Sequence, residues 1–395
     1  MTGSGGVATR ERGRFGPGIY VHYPFCRSRC GYCDFFVVLG DEAVREEFFS
    51  SLLAEIDLHV EEGLWASQTF QTVFLGGGTP SLLGEAQMHT LLARLRSRFR
   101  VADDAEITVE CNPESLTPAS MRAYRAAGAT RLSLGVQSMA ADELALLDRA
   151  HGVAEVRRRV AEIRDAGFAT FNLDLIYGLP GSDRRSWEAT LAALFELDPP
   201  HLSAYLLSLE PHVPLTRRLQ REEAPALPED DVAVAQYETL CEIAEATGLA
   251  QYEISNFARP GAESRHNQNY WLCGDYLGLG PSAHSHRDGW RWSNLRSLPG
   301  YRERVAAAVI PRPDDGERLD IRARAEEWIF LGLRRNEGID WDVLGESGID
   351  LAPLHARVDR LIREGWLERQ AGRIRLSRQA RFVSNTVFTE LADAL

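Results

Sequence analysis

Short apolar segments alternate with amphipathic helical segments from about Gly18 onward. Apolar residues recur every four positions from Val44 to Val60, which places them on one face of a helix. Strands rich in apolar residues that alternate with such helices predict a parallel sheet covered by helices. The predicted strands span residues 18–25, 72–77, 106–112, 131–137, 171–178 and 201–209.

Six strand–helix units fit either an open doubly wound sheet or a partial (β/α) barrel. The predicted strands end in glycine or polar residues, among them Gly76–Gly78, Glu110, Gln137 and Asp174. Ordinary turn chemistry explains the glycines, but it does not explain polar residues at or within apolar strand ends. Loops after parallel strands gather at one end of a barrel, where sites are built. We therefore predict an α/β fold, a partial (β/α)6 barrel resembling a TIM barrel, with one shared site.

The chain divides into four segments by composition. Residues 1–17 are rich in glycine and predict a flexible leader, and residues 18–250 form the barrel. Residues 251–315 are a connecting segment rich in aromatic residues and histidine, with little clear periodicity. Residues 316–395 predict a small α+β domain of the winged-helix kind, with a hairpin around Ala371-Gly372. Its charges are balanced, so we expect it to pack on the barrel and not to bind DNA.

Charge and composition exclude several classes of function. The formal net charge of -13 leaves no basic excess for phosphates, so nucleic acid is not an expected partner. All 44 basic residues are arginine, and without lysine neither a Walker A site nor Schiff-base chemistry is available. No apolar run approaches the roughly 20 residues of a membrane span, and the leader lacks a signal-peptide core. We expect a cytoplasmic protein.

Three cysteines follow the first predicted strand in the order C-x3-C-x2-C. They are Cys26, Cys30 and Cys33, and a reducing cytoplasm leaves them free to bind metal. A structural zinc site normally has four ligands, and His22 is the only nearby candidate for a fourth. An iron–sulfur cluster held by three cysteines leaves one iron open to a substrate or cofactor. Cys111, Cys241 and Cys273 are expected to be buried or idle thiols.

The triplet in this position resembles the signature of the radical S-adenosylmethionine superfamily. The resemblance implies a 4Fe-4S cluster held by the triplet, with S-adenosylmethionine on the open iron. Tyr32 could then pack on the adenine, and a turn at Gly76–Gly78 allows close approach of backbone to the ligand. Arg149 offers a planar fork for a carboxylate, although a helix-end charge in solvent is the simpler interpretation. The positions implied for S-adenosylmethionine are Tyr20, Tyr32, Gly77, Gly78, Thr79, Glu110, Gln137, Arg149 and Asp174.

Longer motifs narrow the resemblance. "FLGGGTPSLL", "ECNPES", "RLSLGVQS" and "NLDLIYGLPG" resemble the oxygen-independent coproporphyrinogen III oxidase group over nearly the whole chain. The oxidases carry a fourth cysteine where Phe35 stands, and a longer N-terminal segment. In both respects, and in the motif H-N-x-x-Y-W at residues 266–271, the chain resembles the sister group, the haem chaperones called HemW.

The resemblance implies binding of haem and its delivery to haem-requiring membrane proteins. Histidine is a common axial ligand of haem iron, and aromatic side chains offer flat surface to a porphyrin. The implied haem-binding residues are His266, Asn267, Tyr270 and Trp271. The simpler interpretation of the motif is a loop that packs the barrel mouth, and His284 and His286 are further candidate ligands.

Three functions follow from these residues as alternatives. The first is a haem chaperone, in which the cofactor tunes conformation or oligomeric state. The second is an enzyme that oxidatively decarboxylates coproporphyrinogen III, and Phe35 argues against it. The third is a zinc-stabilised scaffold. For the chaperone the expected partners are haem and recipient haemoproteins at the membrane, with a reductant protein and a homodimer as further options.

Overall fold

Six parallel strands form the centre of the molecule. The computed structural model describes residues 13–313, 316–345 and 350–395. The strands are neighbours in sequence order, as a partial barrel requires, which confirms the predicted (β/α)6 architecture. They are β1 (Gly18–Tyr23), β2 (Thr69–Gly77), β3 (Arg100–Cys111), β4 (Arg131–Gln137), β5 (Thr170–Tyr177) and β6 (His201–Leu206).

Helices between these strands cover the outside of the sheet. The first, α1 (Glu42–Glu62), begins where the Asp41 side chain accepts a hydrogen bond from the Val44 amide, and ends at Gly63 with a φ of 75°. Its predicted apolar face is buried at Phe48, Leu52 and Ile56. The helices that follow are α2 (Glu85–Arg98), α3 (Pro118–Ala127), α4 (Ala141–Leu146), α5 (Val153–Asp165), α6 (Arg184–Phe195), α7 (Pro214–Gln220) and α8 (Asp230–Ala246).

Side chains alternate across each strand, so one face packs on the helices and the other faces the barrel interior. In β1, Ile19 and Val21 are fully buried in the helix-facing core. Tyr20 and His22 point the other way, and Tyr20 lies in register with Phe74 of β2. The barrel interior is therefore partly polar, although the strand sequences are nearly continuous apolar runs.

Further strands extend the sheet at both edges. After α8 come β7 (Ala250–Glu253) and β8 (Asn256–Ala258); β8 pairs antiparallel with β6, and β7 pairs antiparallel with β8 at the edge. After α9 (Arg265–Trp271), β9 (Tyr276–Leu279) pairs in parallel with β1. The sheet continues through β10 (His284–Arg287), β11 (Trp290–Ser293) and, after α10 (Leu298–Ala306), β12 (Glu317–Arg318). The connecting segment thus carries regular structure that its sequence pattern did not predict.

The C-terminal region builds a small sheet with its own core. It comprises α11 (Ile321–Gly332), β13 (Ile339–Asp340), α12 (Trp341–Gly345), α13 (Ala352–Arg363), β14 (Leu367–Gln370), β15 (Arg373–Leu376) and α14 (Ser384–Ala392). The predicted hairpin joins β14 to β15, and both turn residues, Ala371 and Gly372, have positive φ. Leu272, at the end of α9, packs into this C-terminal core.

The N-terminal end of the described chain lies against the barrel and the C-terminal region. The Pro17 carbonyl accepts a hydrogen bond from the Gln71 amide, and Arg14 pairs with Glu337 at 3.0 Å. Residues 1–12 of the predicted leader lie outside the described residues. Over the ranges that the structure describes, no helix is both long and apolar enough to cross a bilayer.

Candidate functional site

The three cysteines lie on the loop that joins β1 to α1, and backbone hydrogen bonds tie the two ends of this loop together. The Cys26 amide donates to the Val38 carbonyl, and the Val38 amide donates back to the Pro24 carbonyl at 2.8 Å. All three thiols are free and partly exposed, and they line one cavity. Across the described ranges, no three His, Cys, Asp or Glu side chains form the ligand group of a metal ion.

Polar groups are directed at the sulfur atoms. The Thr79 hydroxyl donates to the Cys26 sulfur at 3.4 Å, and Arg149 donates from Nη1 to the Cys30 sulfur at 3.4 Å. Burial raises the pKa of the Cys26 thiol, and the Thr79 bond opposes that shift. Hydrogen-bond donors and a cation stabilise thiolates, the form in which cysteine binds metal. The surroundings of the triplet therefore fit a group held by thiolates.

A cavity of about 420 Å³ opens between this loop and the carboxyl ends of β2 to β6. It brings together eight of the nine positions implied for S-adenosylmethionine, since Tyr20 alone of the nine lies outside its wall. Tyr20 lines an adjoining interior cavity of about 200 Å³, where its hydroxyl shares a hydrogen bond of 3.2 Å with His22. The eight are Tyr32, Gly77, Gly78, Thr79, Glu110, Gln137, Arg149 and Asp174.

Two carboxyl groups lie at the base of the cavity. Burial, with a contribution from nearby Asp174, raises the pKa of Glu110 to about 8. Burial also raises the pKa of Asp174, while hydrogen bonds from Asn172 and Ser133 oppose the shift. The Gly77 amide donates to Glu110 at 3.2 Å, and Gly77 has a φ of 105°, a conformation that favours glycine. Such carboxyl groups suit a cationic or hydroxyl-bearing ligand.

Gln137 ends β4 in an unusual backbone conformation. Its φ is 66°, and the pairing of β4 with β5 shifts by one residue between Gly135 and Gln137. A bulge at a strand end re-aims the side chain, and strained positions of this kind concentrate at ligand sites. The Gln137 side chain faces the cavity as a result.

Arg149 connects the cysteine loop to the strand ends. Its Nη2 donates to the Asn112 side-chain oxygen at 2.7 Å and to the Gly135 carbonyl at 3.0 Å. Its Nε is buried with no hydrogen-bond partner in the part of the chain that the structure describes. A partly buried cation with a buried, unused donor is suited to an anionic ligand group. Sequence reasoning missed Asn112, although it follows Glu110 by two residues in the same strand-end motif.

The H-N-x-x-Y-W motif forms α9. Its His266 is 1% exposed, and its ring nitrogens share hydrogen bonds with the Thr72 hydroxyl at 2.7 Å and the Tyr270 hydroxyl at 2.9 Å. The ring stacks on Phe74 at a centroid distance of 5.1 Å. Burial lowers the His266 pKa to about 3, so the imidazole is neutral. In this conformation neither ring nitrogen is free to ligate iron.

The other motif residues divide between two cavities. Asn267 and Tyr270 line the interior cavity with His266. Tyr270 also faces, with Trp271, a larger cavity on the same side of β1 as Tyr20 and His22. Of the two further candidate ligands, His284 is exposed and His286 is buried.

Comparison with known proteins identifies the family. A model of the Radical SAM superfamily matches residues 20–194, and one of the HemN C-terminal domain matches residues 319–383. A Mycobacterium tuberculosis protein (strain CDC 1551 / Oshkosh) named heme chaperone HemW is 38% identical over 378 residues, covering 95% of this chain and 94% of that protein. The chain belongs to the HemW family. A Bacillus subtilis (strain 168) heme chaperone HemW is 32% identical over 373 residues, which cover 93% of this chain and 97% of that protein.

A solved structure shows the same fold. Coproporphyrinogen III oxidase (HemN) from Escherichia coli superposes with a TM-score of 0.83 at 24% identity, covering 100% of this HemW-family chain and 94% of the oxidase. The superfamily prediction and the radical SAM fold are thereby confirmed, and this fold implies a 4Fe-4S cluster and S-adenosylmethionine. The individual site residues and the domain boundaries stay predictions.

Proposed function

We propose that this chain binds haem and delivers it to haem-requiring proteins. The observation that carries the proposal is similarity along 95% of the chain to a relative named heme chaperone HemW. The Phe35 side chain, where the oxidase resemblance expects a cysteine, supports the same choice. The recipients proposed here are haemoproteins at the membrane, reached from the cytoplasm, with a reductant protein and self-association as further parts of the cycle.

Cys26, Cys30 and Cys33 are the proposed ligands of a 4Fe-4S cluster. Donors already directed at two of the sulfurs, from Thr79 and Arg149, support this assignment. When bound, the cluster and S-adenosylmethionine supply one-electron chemistry. The cysteine loop holds the ligand side chains at the mouth of the cavity, and the Arg149 cation balances negative charge there.

The strand ends are the proposed S-adenosylmethionine site. The Glu110 and Asp174 carboxyls, together with the Gln137 amide, face the cavity and can hydrogen-bond ammonium and ribose groups. The unused Arg149 donor is available to a carboxylate. Tyr32 supplies an aromatic face for the adenine, and Tyr20 supports the site from the adjoining cavity.

The H-N-x-x-Y-W motif is proposed as part of the haem site. Tyr270 and Trp271 present aromatic surface to the larger cavity. His266 and Asn267 lie behind them, and the bond from His266 to the Tyr270 hydroxyl positions that ring. Ligation of iron by His266 itself requires loss of at least one of the two hydrogen bonds of a ring that is also stacked on Phe74.

An anaerobic haem titration of cluster-reconstituted protein tests the proposal. We expect saturable binding followed by absorbance, and transfer of the bound haem to an apo-haemoprotein. In parallel, the same preparation is incubated with reductant, S-adenosylmethionine and coproporphyrinogen III. Absence of saturable binding together with decarboxylated product would replace the chaperone by the oxidase, for which the intact strand-end cavity is the supporting feature.

A further inference from the structure

The larger cavity that Tyr270 and Trp271 face lies on the opposite side of β1 from the helix-facing core. We call it the outer cavity, and its volume of about 1000 Å³ is at the upper end of the range for small-molecule sites. Its walls are the cysteine loop at Phe35 and Phe36, the end of α9 at Trp271, and one face of β10 and β11. A site of this size and wall composition accommodates a large flat ring system.

The histidines around the outer cavity differ in whether a ring nitrogen is free to bind a ligand. Both ring nitrogens of His22 are hydrogen-bonded, to the Tyr20 hydroxyl and the Phe36 carbonyl. Those of His286 are bonded to the Gly274 carbonyl and the Gly289 amide. The side chain of His284, two residues before His286 on β10, makes no hydrogen bond or ion pair with any residue that the structure describes.

The protonation state of His284 suits ligation. Although His284 is exposed, partial desolvation of its ring and the nearby Arg291 cation lower its pKa, which favours the neutral imidazole. Neutral imidazole is the form that ligates iron. His284 therefore presents an unengaged lone pair to the cavity.

The arginines at the rim differ in whether they are already paired with a carboxylate. Arg291 is paired with Glu317 at 2.7 Å and with Glu327 at 3.1 Å. Arg296 is exposed and lines the cavity, and it forms no ion pair within the described ranges. Burial lowers the pKa of His22, and the nearby Arg296 cation adds to that shift. A free guanidinium at the rim is a site for a carboxylate.

The aromatic wall contains an exposed side chain. Phe35 is 66% exposed, an unusual position for a large apolar ring unless a partner covers it. Phe35 and Asp34 line both the outer cavity and the cavity with the cysteines, so the two cavities adjoin at this point of the loop.

We propose that the outer cavity is the haem site, with His284 ligating the iron, Arg296 pairing with a propionate and Phe35 covering one face of the porphyrin. This inference rests on the proposed chaperone function. It places the iron ligand on β10, outside the H-N-x-x-Y-W motif, while the motif supplies part of the wall.

Ferric haem titration of the cluster-reconstituted full chain tests this assignment. We expect His284→Ala to weaken haem binding at least about tenfold and to shift the Soret band. Added imidazole should restore the Soret position by filling the vacated coordination position. Arg296→Gln should weaken binding about threefold and leave the Soret band in place. His89→Ala is the matched control, because His89 is an exposed histidine on α2 that lines neither cavity.

Two results would overturn the assignment while leaving the chaperone function intact. In one, His284→Ala binds haem with the affinity and Soret band of the unaltered protein. In the other, His89→Ala changes the haem affinity and the Soret band as much as His284→Ala does. If the unaltered protein shows no saturable binding, the proposed function and the assignment both fail.

Discussion

Arg149 and Cys30 are in direct contact: the guanidinium Nη1 donates to the thiol sulfur at 3.4 Å. The same guanidinium holds the Asn112 side chain and the Gly135 carbonyl at the strand ends. One side chain thus joins the cysteine loop to the barrel. A change in the charge of the loop, such as the gain of a cluster, therefore acts directly on the Arg149 guanidinium. This is the group proposed to bind a carboxylate of the cofactor.

Arg149→Lys tests this connection. The ammonium keeps the charge but cannot make the forked contacts to Asn112 and Gly135 together with the sulfur. We expect unchanged iron content and S-adenosylmethionine affinity lower by about tenfold, measured by isothermal titration. Arg158→Lys is the control, because the Arg158 side chain is 58% exposed on α5. Equal affinities in both variants would contradict a binding role for Arg149.

Removal of single cysteines separates a cluster from a zinc site. We expect Cys26→Ala, Cys30→Ala and Cys33→Ala each to lose most of the iron and sulfide after anaerobic reconstitution, since each thiolate would supply one of only three protein ligands to the cluster. Cys241→Ala removes a buried thiol on α8 and should keep both. Zinc without sulfide in the unaltered protein would instead identify a structural zinc site.

Much of this site could be predicted from sequence because parallel strands end at one edge. The strand-end positions Glu110, Gln137 and Asp174 therefore converge whatever the loop lengths between them. Relationships between distant segments could not be predicted. The pairing of β9 with β1 joins segments some 250 residues apart, and periodicity carries no information about such contacts.

The environment of the motif histidine also depends on tertiary structure. The sequence marks His266 as a candidate ligand, but the Thr72 hydroxyl that occupies one ring nitrogen comes from β2. Equally, nothing in the sequence distinguishes His284 from His286. Their difference arises because the loop residues Gly274 and Gly289 bond one ring and leave the other open to the cavity.

The raised pKa of Glu110 predicts that both the stability of the fold and the affinity for S-adenosylmethionine depend on pH. Its pKa is raised from 4.5 to about 8, so between these values the folded chain holds a proton that the unfolded chain has lost. This contribution therefore destabilises the cofactor-free protein as pH rises through that window. We expect Glu110→Gln to be more stable than the unaltered protein at pH 8.5 by about 1–3 kcal/mol, and much less so at pH 5.

Cofactor affinity should change in the opposite sense. An ionised Glu110 attracts a cationic ligand, so S-adenosylmethionine affinity should rise with pH through about 8 and flatten in Glu110→Gln. Urea unfolding and calorimetric titration at several pH values measure the two effects. Glu61→Gln, at an exposed position of α1, is the control. A stability profile of Glu110→Gln parallel to that of the unaltered protein would rule out the raised pKa.

His266 should act on stability and not on the haem spectrum. His266→Ala leaves the buried Thr72 hydroxyl without its partner and removes a stacked ring, and we expect a loss of about 2–5 kcal/mol in urea unfolding. Thr72→Val removes one bond and should cost about 1–3 kcal/mol. Both variants should keep the Soret position of bound haem. A shifted band in His266→Ala alone would make His266 the iron ligand.

Phe35 and Leu39 offer a matched pair on the cysteine loop. They are exposed to similar degrees, 66% and 62%, but only Phe35 lines the outer cavity. Phe35→Ala should weaken haem binding about fivefold, because an aromatic contact with the porphyrin face contributes about 1 kcal/mol. Leu39→Ala should leave it unchanged, and neither variant should lose iron, since neither residue is a proposed ligand. Equal weakening in both would point to a general disturbance of the loop, and unchanged binding in both would remove Phe35 from the haem site.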